Sequence, residues 1–236
     1  MWLVNVSSPQ LHDPPVQLYE TSIGEQRTIV LADHSTMRLN TNTLVEVDYR
    51  VRERRVRLVK GEALFDVAKD HTRPFIVYAG ADTVRAVGTR FSVRLQQENV
   101  EVVVSEGQVA FSRAVVDSRT GGVTAQTSVL RQKQTAWIDD RASTPIEITT
   151  IGNKETERRL SWATGVLEFN GEPLEKVVAE ITRYTPLHIR IAQPELRRMP
   201  VGGRFRVGDT EALFDAVRAS FGVRVIYDAD GVLLTY

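Results

Sequence analysis

The sequence contains no cysteine, and this absence excludes several kinds of chemistry at once. A chain without cysteine has no disulfide, no thiolate nucleophile and no cysteine-ligated zinc. The four histidines lie far apart along the chain, and no two have the spacing of a helical metal site. They are His12, His34, His71 and His188. We therefore expect no bound metal and no cofactor.

Charge of one sign and long apolar runs are lacking too. The 30 Lys and Arg residues balance the 30 Asp and Glu residues, which gives no support to nucleic-acid binding. No apolar run approaches the ~20 residues that span a bilayer. The first residues also lack the basic and apolar segments of a signal peptide. We expect either a cytoplasmic protein or a soluble fragment whose targeting segment has been removed.

No catalytic motif is present: Gly-x-Ser-x-Gly, Walker A and Gly-x-Gly-x-x-Gly are all missing. The segment "VGTRF" around Gly88 is glycine-containing, but it has strand signals on both sides, whereas a phosphate loop opens a helix. Gly88 is therefore predicted to mark a β-bulge or a close backbone approach. Asp66 and Asp70 lie near each other, yet nothing marks them as a catalytic carboxyl pair. We predict that the chain is not an enzyme.

What the sequence does contain, from Glu20 to about Ile148, is a series of short strand patterns. In "NVEVVVSEGQVAF" the residues Val100, Val102 and Val104 share one face, and a turn follows at Gly107. The segment "RRVRLVKGEALFDVA" reads as strand broken at Gly61, and "AVVDSRTGGVTAQ" as a hairpin or exposed loop. Short strands at this spacing predict an all-β domain, either a sandwich or a solenoid-like stack.

After Thr150 the apolar period changes to that of helices. Two strand–helix–strand units of βαβ type are predicted, which together make a small α+β domain. Pro173 suits the first position of one helix, and Asp209 suits the N-cap of the other. The predicted buried stripes are Leu174, Val177, Val178 and Ile181 in the first helix, and Leu213, Ala216, Val217 and Phe221 in the second. The chain is thus predicted to comprise a tail (1–19), an all-β domain (20–148), a connector (149–161) and an α+β domain (162–236).

Four motifs in the all-β part resemble the FecR family, the periplasmic part of bacterial transmembrane anti-sigma regulators that sense iron siderophores. They are "GEQRTIVLADHSTMRLNTNTLVEV", "RRVRLVKGEALFDVAKDHTRPFIVYAG", "VRAVGTRFSVRL" and "VEVVVSEGQVAF", in this order. The segment from Trp162 to Tyr236 is similar to the STN domain (secretin/TonB short N-terminal domain) that often follows in these regulators. The resemblance departs at Asp33-His34-Ser35, where the family has Asp-Gly-Ser. Histidine tolerates a positive φ less well than glycine, so this turn is expected to be of another type. The resemblance departs again at "LRQKQ" (Leu130 to Gln134), which lacks the family's glycine.

The resemblance implies a role in signal relay without catalytic residues or cofactors. It implies a periplasmic location and a partner, the N-terminal signalling domain of a TonB-dependent outer-membrane siderophore transducer. The complete regulator would be a single-pass inner-membrane protein, and it would contact an extracytoplasmic-function sigma factor through a cytoplasmic domain. This chain is then expected to be the soluble periplasmic fragment of such a protein.

A partner of a small α+β domain can add a strand to an unpaired sheet edge. Two segments are candidates for that edge, "GGRFRV" and the terminal "VLLTY", although both could instead pair internally. In the first segment Arg204 and Arg206 alternate with Phe205, so charge lies on one face and an aromatic anchor on the other. The candidate partner-binding residues are Gly203, Arg204, Phe205, Arg206, Leu233, Leu234 and Tyr236.

A second class of function stays open on the sequence alone. The chain could be a non-enzymatic envelope scaffold or a polysaccharide-binding protein that uses the α+β part for oligomerisation. Sugars stack on exposed aromatic faces, so that function would call for a groove lined by tryptophan. The three tryptophans, Trp2, Trp137 and Trp162, are scattered along the chain and predict no such groove.

Overall fold

The computed structural model describes residues 15–97, 99–116, 122–138 and 146–236. It is mainly β with a small α+β part, as predicted. The part up to Thr150, which we call the β region, begins its first strand at Gln17, inside the predicted tail. Its strands are β1 (Gln17–Glu20), β2 (Arg27–Val30), β3 (Thr36–Leu39), β4 (Leu44–Tyr49), β5 (Arg54–Asp66), β6 (Phe75–Ala79), β7 (Asp82–Ala86), β8 (Arg90–Gln96), β9 (Asn99–Glu106), β10 (Gln108–Val116), β11 (Val123–Arg131), β12 (Gln134–Ile138) and β13 (Glu147–Thr150).

Strand β5 belongs to both halves of the β region. Its first half pairs with β4 and with β6, and its second half pairs with β3 and β8. One half therefore has the order β11-β10-β7-β6-β5-β4-β1, and the other has the order β2-β3-β5-β8-β9-β12-β13. The predicted break at Gly61 is wrong, because the strand runs through it. Gly61 instead takes a φ of 89° close to where the pairing partners change, and a β-bulge with left-handed backbone favours glycine there.

The two halves enclose one apolar core, in the manner of a sandwich. The ring of Phe65 lies between the rings of Phe75 and Phe91, with centroid distances of 5.6 and 5.4 Å. These three rings come from β5, β6 and β8, so they connect both halves around the shared strand. The alternating valines Val100, Val102 and Val104 of β9 are fully or almost fully buried against the same core, as predicted.

The stretch around Gly88 is a corner at which the chain leaves one half and enters the other. Strand β7 ends at Ala86 and pairs with β6 and β10, while β8 begins at Arg90 and pairs with β5 and β9. A Cβ atom at Gly88 would lie 2.3 Å from Cγ of Lys69 and 3.2 Å from its Cα. The predicted close backbone approach is thus confirmed, and the neighbour is the segment that follows β5.

The two turns that depart from the FecR pattern keep the backbone that glycine would favour. His34 has a φ of 66°, and Lys133 has a φ of 65°. The expectation of another turn type at His34 is therefore wrong. Asp33 explains how histidine is tolerated, because its carboxylate accepts hydrogen bonds from the backbone N–H of Ser35 (3.1 Å) and its hydroxyl (2.6 Å). These bonds close the turn regardless of the side chain at position 34.

The rest of the chain, which we call the C-terminal region, has its own apolar core of helices and short strands. Its elements are α1 (Asn153–Arg159), a 3₁₀ turn (Ser161–Thr164), β14 (Val166–Pro173), α2 (Leu174–Thr182), β15 (Ile189–Ile191), α3 (Pro194–Arg197), β16 (Pro200–Arg206), α4 (Thr210–Phe221), β17 (Arg224–Asp228) and β18 (Gly231–Thr235). Helix α2 begins directly after Pro173, and the four residues of its predicted stripe are buried. The side chain of Asp209 caps α4 by accepting from the N–H of Ala212 at 3.1 Å, as predicted.

The two strand–helix–strand units interleave, which corrects the prediction that each is a βαβ unit. Strands β14 and β16, the first strands of the two units, pair antiparallel with each other. Strand β15 pairs parallel with β18, and β18 also pairs antiparallel with β17. A βαβ unit places its two strands parallel in one sheet, whereas here the strands of each unit lie in different sheets.

Alanine at Gly61 is expected to destabilise the chain more than alanine at Gly88. The new Cβ at Gly61 would lie 2.3 Å from Oγ1 and 2.6 Å from Cα of Thr43, in addition to the left-handed φ. At Gly88 the side chain of Lys69 can move aside in part. We expect a loss of at least ~3 kcal/mol for Gly61→Ala and ~1–2 kcal/mol for Gly88→Ala in urea unfolding.

Gly202→Ala is the matched control for these two variants. Its Cβ would make only ordinary contacts, at 3.6 Å or more, and its φ lies outside the left-handed region. We expect its free energy of unfolding to stay within ~0.5 kcal/mol of the unchanged chain. If Gly61→Ala were as stable as Gly202→Ala, the role assigned to Gly61 would be wrong.

Candidate functional site

Strand β16 presents an open sheet edge, as the sequence predicted for "GGRFRV". Within the described residues β16 pairs with β14 alone. The far side of β14 faces the rest of the protein, since Arg158 donates to the carbonyl oxygen of Glu168 there at 3.3 Å. The Arg204 side chain is 70% exposed, Arg206 is exposed and Gly203 is half-buried. These three predicted residues therefore lie together on an accessible strand.

Phe205, by contrast, is not available as an aromatic anchor. It is 6% exposed, and its ring lies 6.0 Å from that of Phe169 on the paired strand β14. The alternation with Arg204 and Arg206 correctly separates the aromatic face of β16 from the charged one. The aromatic face, however, is the one that packs on the C-terminal core, so Phe205 stabilises the fold instead of offering a surface.

The prediction of an edge at the terminal strand is wrong, because β18 lies between β15 and β17. Leu234 is fully buried and Leu233 is half-buried. Tyr236, which follows the strand, is 51% exposed. The reason is the crossover: β18 returns antiparallel to β17 and also runs parallel to β15, which satisfies the amides on both of its sides.

The edge that sequence reasoning missed in this sheet is β17. It pairs only with β18 within the described residues, and Ile226 and Tyr227 are 42% and 54% exposed. A signal existed in the composition. Strand β18 ("GVLLT") has an apolar centre and no charged residue, as central strands do, whereas β17 ("RVIYD") carries a charge at each end, as edge strands do.

A network of buried ionic groups joins the β region to the C-terminal region; we call it the junction. At its centre the guanidinium of Arg183, just after α2, donates to Glu62 of β5 at 2.7 Å and to Glu180 of α2 at 2.5 Å. Arg94 of β8 donates to the second oxygen of Glu180 at 2.9 Å. The side chains of Glu62 and Arg183 are 7% and 16% exposed, so solvent screens this network little.

Neutral groups complete the junction on one side. Asn40 donates to Glu62 at 2.9 Å and to the hydroxyl of Tyr184 at 2.8 Å, and Thr41 donates to the carbonyl oxygen of Arg183 at 3.0 Å. The side chain of Leu64 leaves β5 on the face opposite its neighbours and packs in the C-terminal core. The two regions therefore share apolar packing as well as hydrogen bonds.

The electrostatics of the junction favour the charged forms of Arg183 and Glu180. Burial would lower the pKa of Arg183, but the carboxylates of Glu62 and Glu180 outweigh burial and raise it. Burial would likewise raise the pKa of Glu180, and the charges of Arg183 and Arg94 outweigh that effect and lower it. Glu101, which pairs with Arg159, behaves differently, because burial dominates and raises its pKa. The junction thus favours the charged forms of Arg183 and Glu180, while the carboxylate of Glu101 protonates more readily.

A cavity of about 290 Å³ lies beside the ionic groups of the junction, between the two regions. Charged side chains of both signs line it, and the arginines among them are paired with carboxylates. The charged lining residues are Glu62, Arg94, Glu101, Arg158, Arg159, Glu168, Glu172, Lys176 and Glu180. Five carboxylates face four cations, and each of the three arginines is paired, as in an interface between two packed units.

The local sequence carried no signal of the junction. Glu62 and Arg183 lie 121 positions apart, and each looks like a solvated charge within its own segment. Within the described residues no group of three or more His, Asp and Glu side chains could hold a metal ion. None of the helices found in those residues is long and apolar enough to cross a membrane.

The family model described as FecR protein matches residues 17–110. We call these matched residues the FecR region. FecR proteins form a regulatory group and are the periplasmic part of membrane regulators. The FecR region covers the β region from β1 into β10, and it includes Asn40, Glu62 and Arg94 of the junction. The STN resemblance of the C-terminal region stays a prediction.

Two solved structures share the fold of the FecR region together with the C-terminal region. Both are described as a "putative anti-sigma factor" from Parabacteroides distasonis ATCC 8503, at 2.50 and 1.65 Å resolution. Each is 22% identical with a TM-score of 0.72; the first covers 94% of this chain and 99% of its own, the second 92% and 98%. At this identity the likeness concerns the fold. A search of the curated proteins gives no match.

Proposed function

We propose that this chain is the signal-receiving region of a transmembrane anti-sigma regulator in cell-surface signalling. In this proposal it lies in the periplasm and binds the N-terminal signalling domain of a TonB-dependent outer-membrane transducer for an iron siderophore. The complete regulator contacts an extracytoplasmic-function sigma factor through a cytoplasmic domain. The FecR region and the description of the structural neighbours as anti-sigma factors support a regulatory role of this kind.

The observation that carries the proposal is the junction. A signal receiver must convey binding at one surface to another part of the molecule, and this requires that the parts be energetically coupled. Here the open edge of β16 belongs to the C-terminal region, which is joined to the FecR region through Arg183, Glu62 and Arg94. In the proposed relay, these contacts carry the effect of binding at the edge to the FecR region, and no catalytic step is needed.

The proposed contact is β-strand addition at β16. Unpaired amide and carbonyl groups along the edge supply main-chain hydrogen bonds, and exposed side chains supply specificity. Arg206 is exposed on this strand, and so is Arg204, whose guanidinium lies 3.5 Å from the exposed carboxylate of Glu168 on β14. An exposed pair of this kind is weak, so both arginines favour a partner strand with acidic residues. Tyr236 and the β17 edge are further accessible surfaces of the same region.

The test is calorimetric titration of the chain with the signalling domain of the transducer encoded beside it. We expect the double variant Arg204→Glu/Arg206→Glu to weaken binding by at least ~10-fold, since both charges near the edge are reversed. The matched control is Arg52→Glu/Arg57→Glu, which makes the same change in net charge at exposed positions of the β region. Equal weakening by the two double variants would remove β16 as the contact.

No structural observation favours the polysaccharide-binding alternative. Trp162 is 3% exposed and packs in the C-terminal core, while Trp137 stands on β12 with 43% of its surface exposed. Among the described residues these two tryptophans thus share no sugar-stacking groove. Trp2 lies outside the described residues.

A further inference from the structure

A second cavity, of about 560 Å³, lies in the β region at the Gly88 corner, away from β16 and the junction; we call it the corner pocket. Lys69, His71 and Arg85 line it, and no carboxylate does so within the described residues. None of these three side chains makes an ion pair within the part of the chain that the structure describes. This is unusual here, since most arginines near the other cavities are paired with Asp or Glu.

The acidic residues that flank the corner pocket are engaged elsewhere. Asp70 lies between the two lining residues of its segment, but its carboxylate accepts hydrogen bonds from Thr72 and Arg73. Glu106, next to the lining residue Gly107, lies 4.0 Å from the guanidinium of Arg90. Neither group therefore neutralises the pocket, and its net charge stays positive.

Gly88 allows the side chain of Lys69 to lie against the backbone at the corner pocket. Because Gly88 has no side chain, the stem of Lys69 lies directly against it, where a Cβ would meet Cγ of Lys69 at 2.3 Å. The next residue, Thr89, is 7% exposed, and its hydroxyl has no hydrogen-bond partner. A buried polar group without a partner costs free energy, so an acceptor beside it would be favoured.

The floor of the corner pocket is apolar. On the outer face of the sheet, Arg85 of β7, Ala110 of β10 and Val129 of β11 are direct cross-strand neighbours. Val129 is 44% exposed, and Val87 and Val109 also line the cavity. A fully hydrated ion such as inorganic phosphate would bury no apolar surface on this floor. An anion attached to an apolar group would gain binding free energy from the floor and from the basic side chains.

We propose that the corner pocket binds a carboxylate carried on an apolar body. The carboxylate lies among Lys69, His71 and Arg85, and the apolar body covers Ala110 and Val129. The cavity is of the size that small ligands occupy. The ligand is a free organic acid or an acidic side chain next to an apolar one on an extended partner segment, since both present the same chemistry. This proposal does not depend on the proposed function, because the two sites share no residue.

The experiment follows amide signals of the full chain by NMR during titration with 4-methylpentanoate, with 4-methylpentanamide and phosphate as comparison ligands. We expect saturable shifts at Gly88, Thr89 and Gly107 with the acid, and at least ~10-fold weaker binding of the amide and of phosphate. The double variant Lys69→Gln/Arg85→Gln should lose the shifts. The control Arg57→Gln/Lys60→Gln, which removes two exposed cations elsewhere in the β region, should keep them.

The same titration separates the two sources of the carboxylate. A free acid as the ligand predicts saturation at micromolar concentrations. A partner segment predicts weak binding of 4-methylpentanoate and at least ~10-fold tighter binding of the blocked peptide Val-Thr-Glu-Ile-Thr. Equal binding of acid and amide, unchanged binding by the double variant, or absence of shifts at the corner would each overturn the proposal.

Discussion

Asp33→Ala is expected to lower the free energy of unfolding by about 3–5 kcal/mol, because it leaves a buried arginine without its carboxylate. The guanidinium of Arg54 lies 2.6 Å from Oδ2 of Asp33, and the two side chains are 0% and 5% exposed. Tyr49 donates its hydroxyl to the other carboxylate oxygen at 2.8 Å. Arg54 also donates to the carbonyl oxygens of Ala68 and Arg73, so this group ties β5 to two loops of the β region.

Urea unfolding followed by circular dichroism measures this effect. The control is Glu46→Ala, which removes the partner of Arg57 in an exposed pair with a 3.7 Å separation. We expect that control to cost less than ~1 kcal/mol. The double variant Asp33→Ala/Arg54→Met should recover part of the loss, because no buried charge is left unpaired. A similar decrease in the free energy of unfolding for Asp33→Ala and Glu46→Ala would show that the buried pair of Asp33 and Arg54 does not stabilise the fold as we expect.

The same carboxylate predicts a loss of stability in acid. Burial alone would raise the pKa of Asp33, but the hydrogen bonds from Ser35, Arg54 and Tyr49 outweigh it and lower the pKa. A carboxyl with a lower pKa in the folded state stabilises the fold above its ordinary pKa of ~4. That stabilisation is lost as the pH falls through the folded-state value. As the pH falls from 5 to below the folded-state pKa of Asp33, the free energy of unfolding should therefore decrease less in Asp33→Ala than in the unchanged chain.

Arg183→Met is expected to separate the unfolding of the two regions. The variant removes the cation that holds the carboxylates of Glu62 and Glu180, and leaving buried charges unpaired costs about 3–5 kcal/mol. We expect the unchanged chain to unfold in one calorimetric transition, and the variant to show an earlier transition for the C-terminal region. Differential scanning calorimetry distinguishes the two behaviours.

The control for the junction is Arg218→Met on α4. Arg218 pairs with Asp215 one turn away, and these side chains are 38% and 75% exposed, so the loss should stay below ~0.5 kcal/mol. Its unfolding should remain a single transition. Two transitions already present in the unchanged chain, or a single one kept in Arg183→Met, would show that the junction does not couple the regions.

Much of the fold could be predicted from the sequence because it depends on local periodicity. The alternation of valines in β9 and the i, i+3, i+4, i+7 stripe from Leu174 to Ile181 report directly which face is buried. Gly88 was predictable in kind, since glycine between two strand patterns marks a bulge or a close approach. What no local pattern contains is the identity of the neighbour, Lys69.

The rest depends on pairing between distant segments. Whether "VLLTY" is an edge or a central strand is decided by the crossover that brings β15 beside it, and Phe205 is buried because the C-terminal core lies on that face. Gly61 illustrates the same limit: the glycine was visible, but a strand that passes from one set of partners to another cannot be told from one that ends. The junction, between residues far apart in sequence, is also of this kind.

The proposed relay is tested most directly by hydrogen exchange of the full chain, free and saturated with the signalling domain of the proposed transducer. We expect slower exchange along the β16 edge, Gly202 to Arg206, together with altered exchange across the junction at Asn40 and Glu62. Protection on β16 alone, with the FecR side of the junction unchanged, would contradict the relay. Absence of any change, with both proteins folded, would contradict the proposed partner itself.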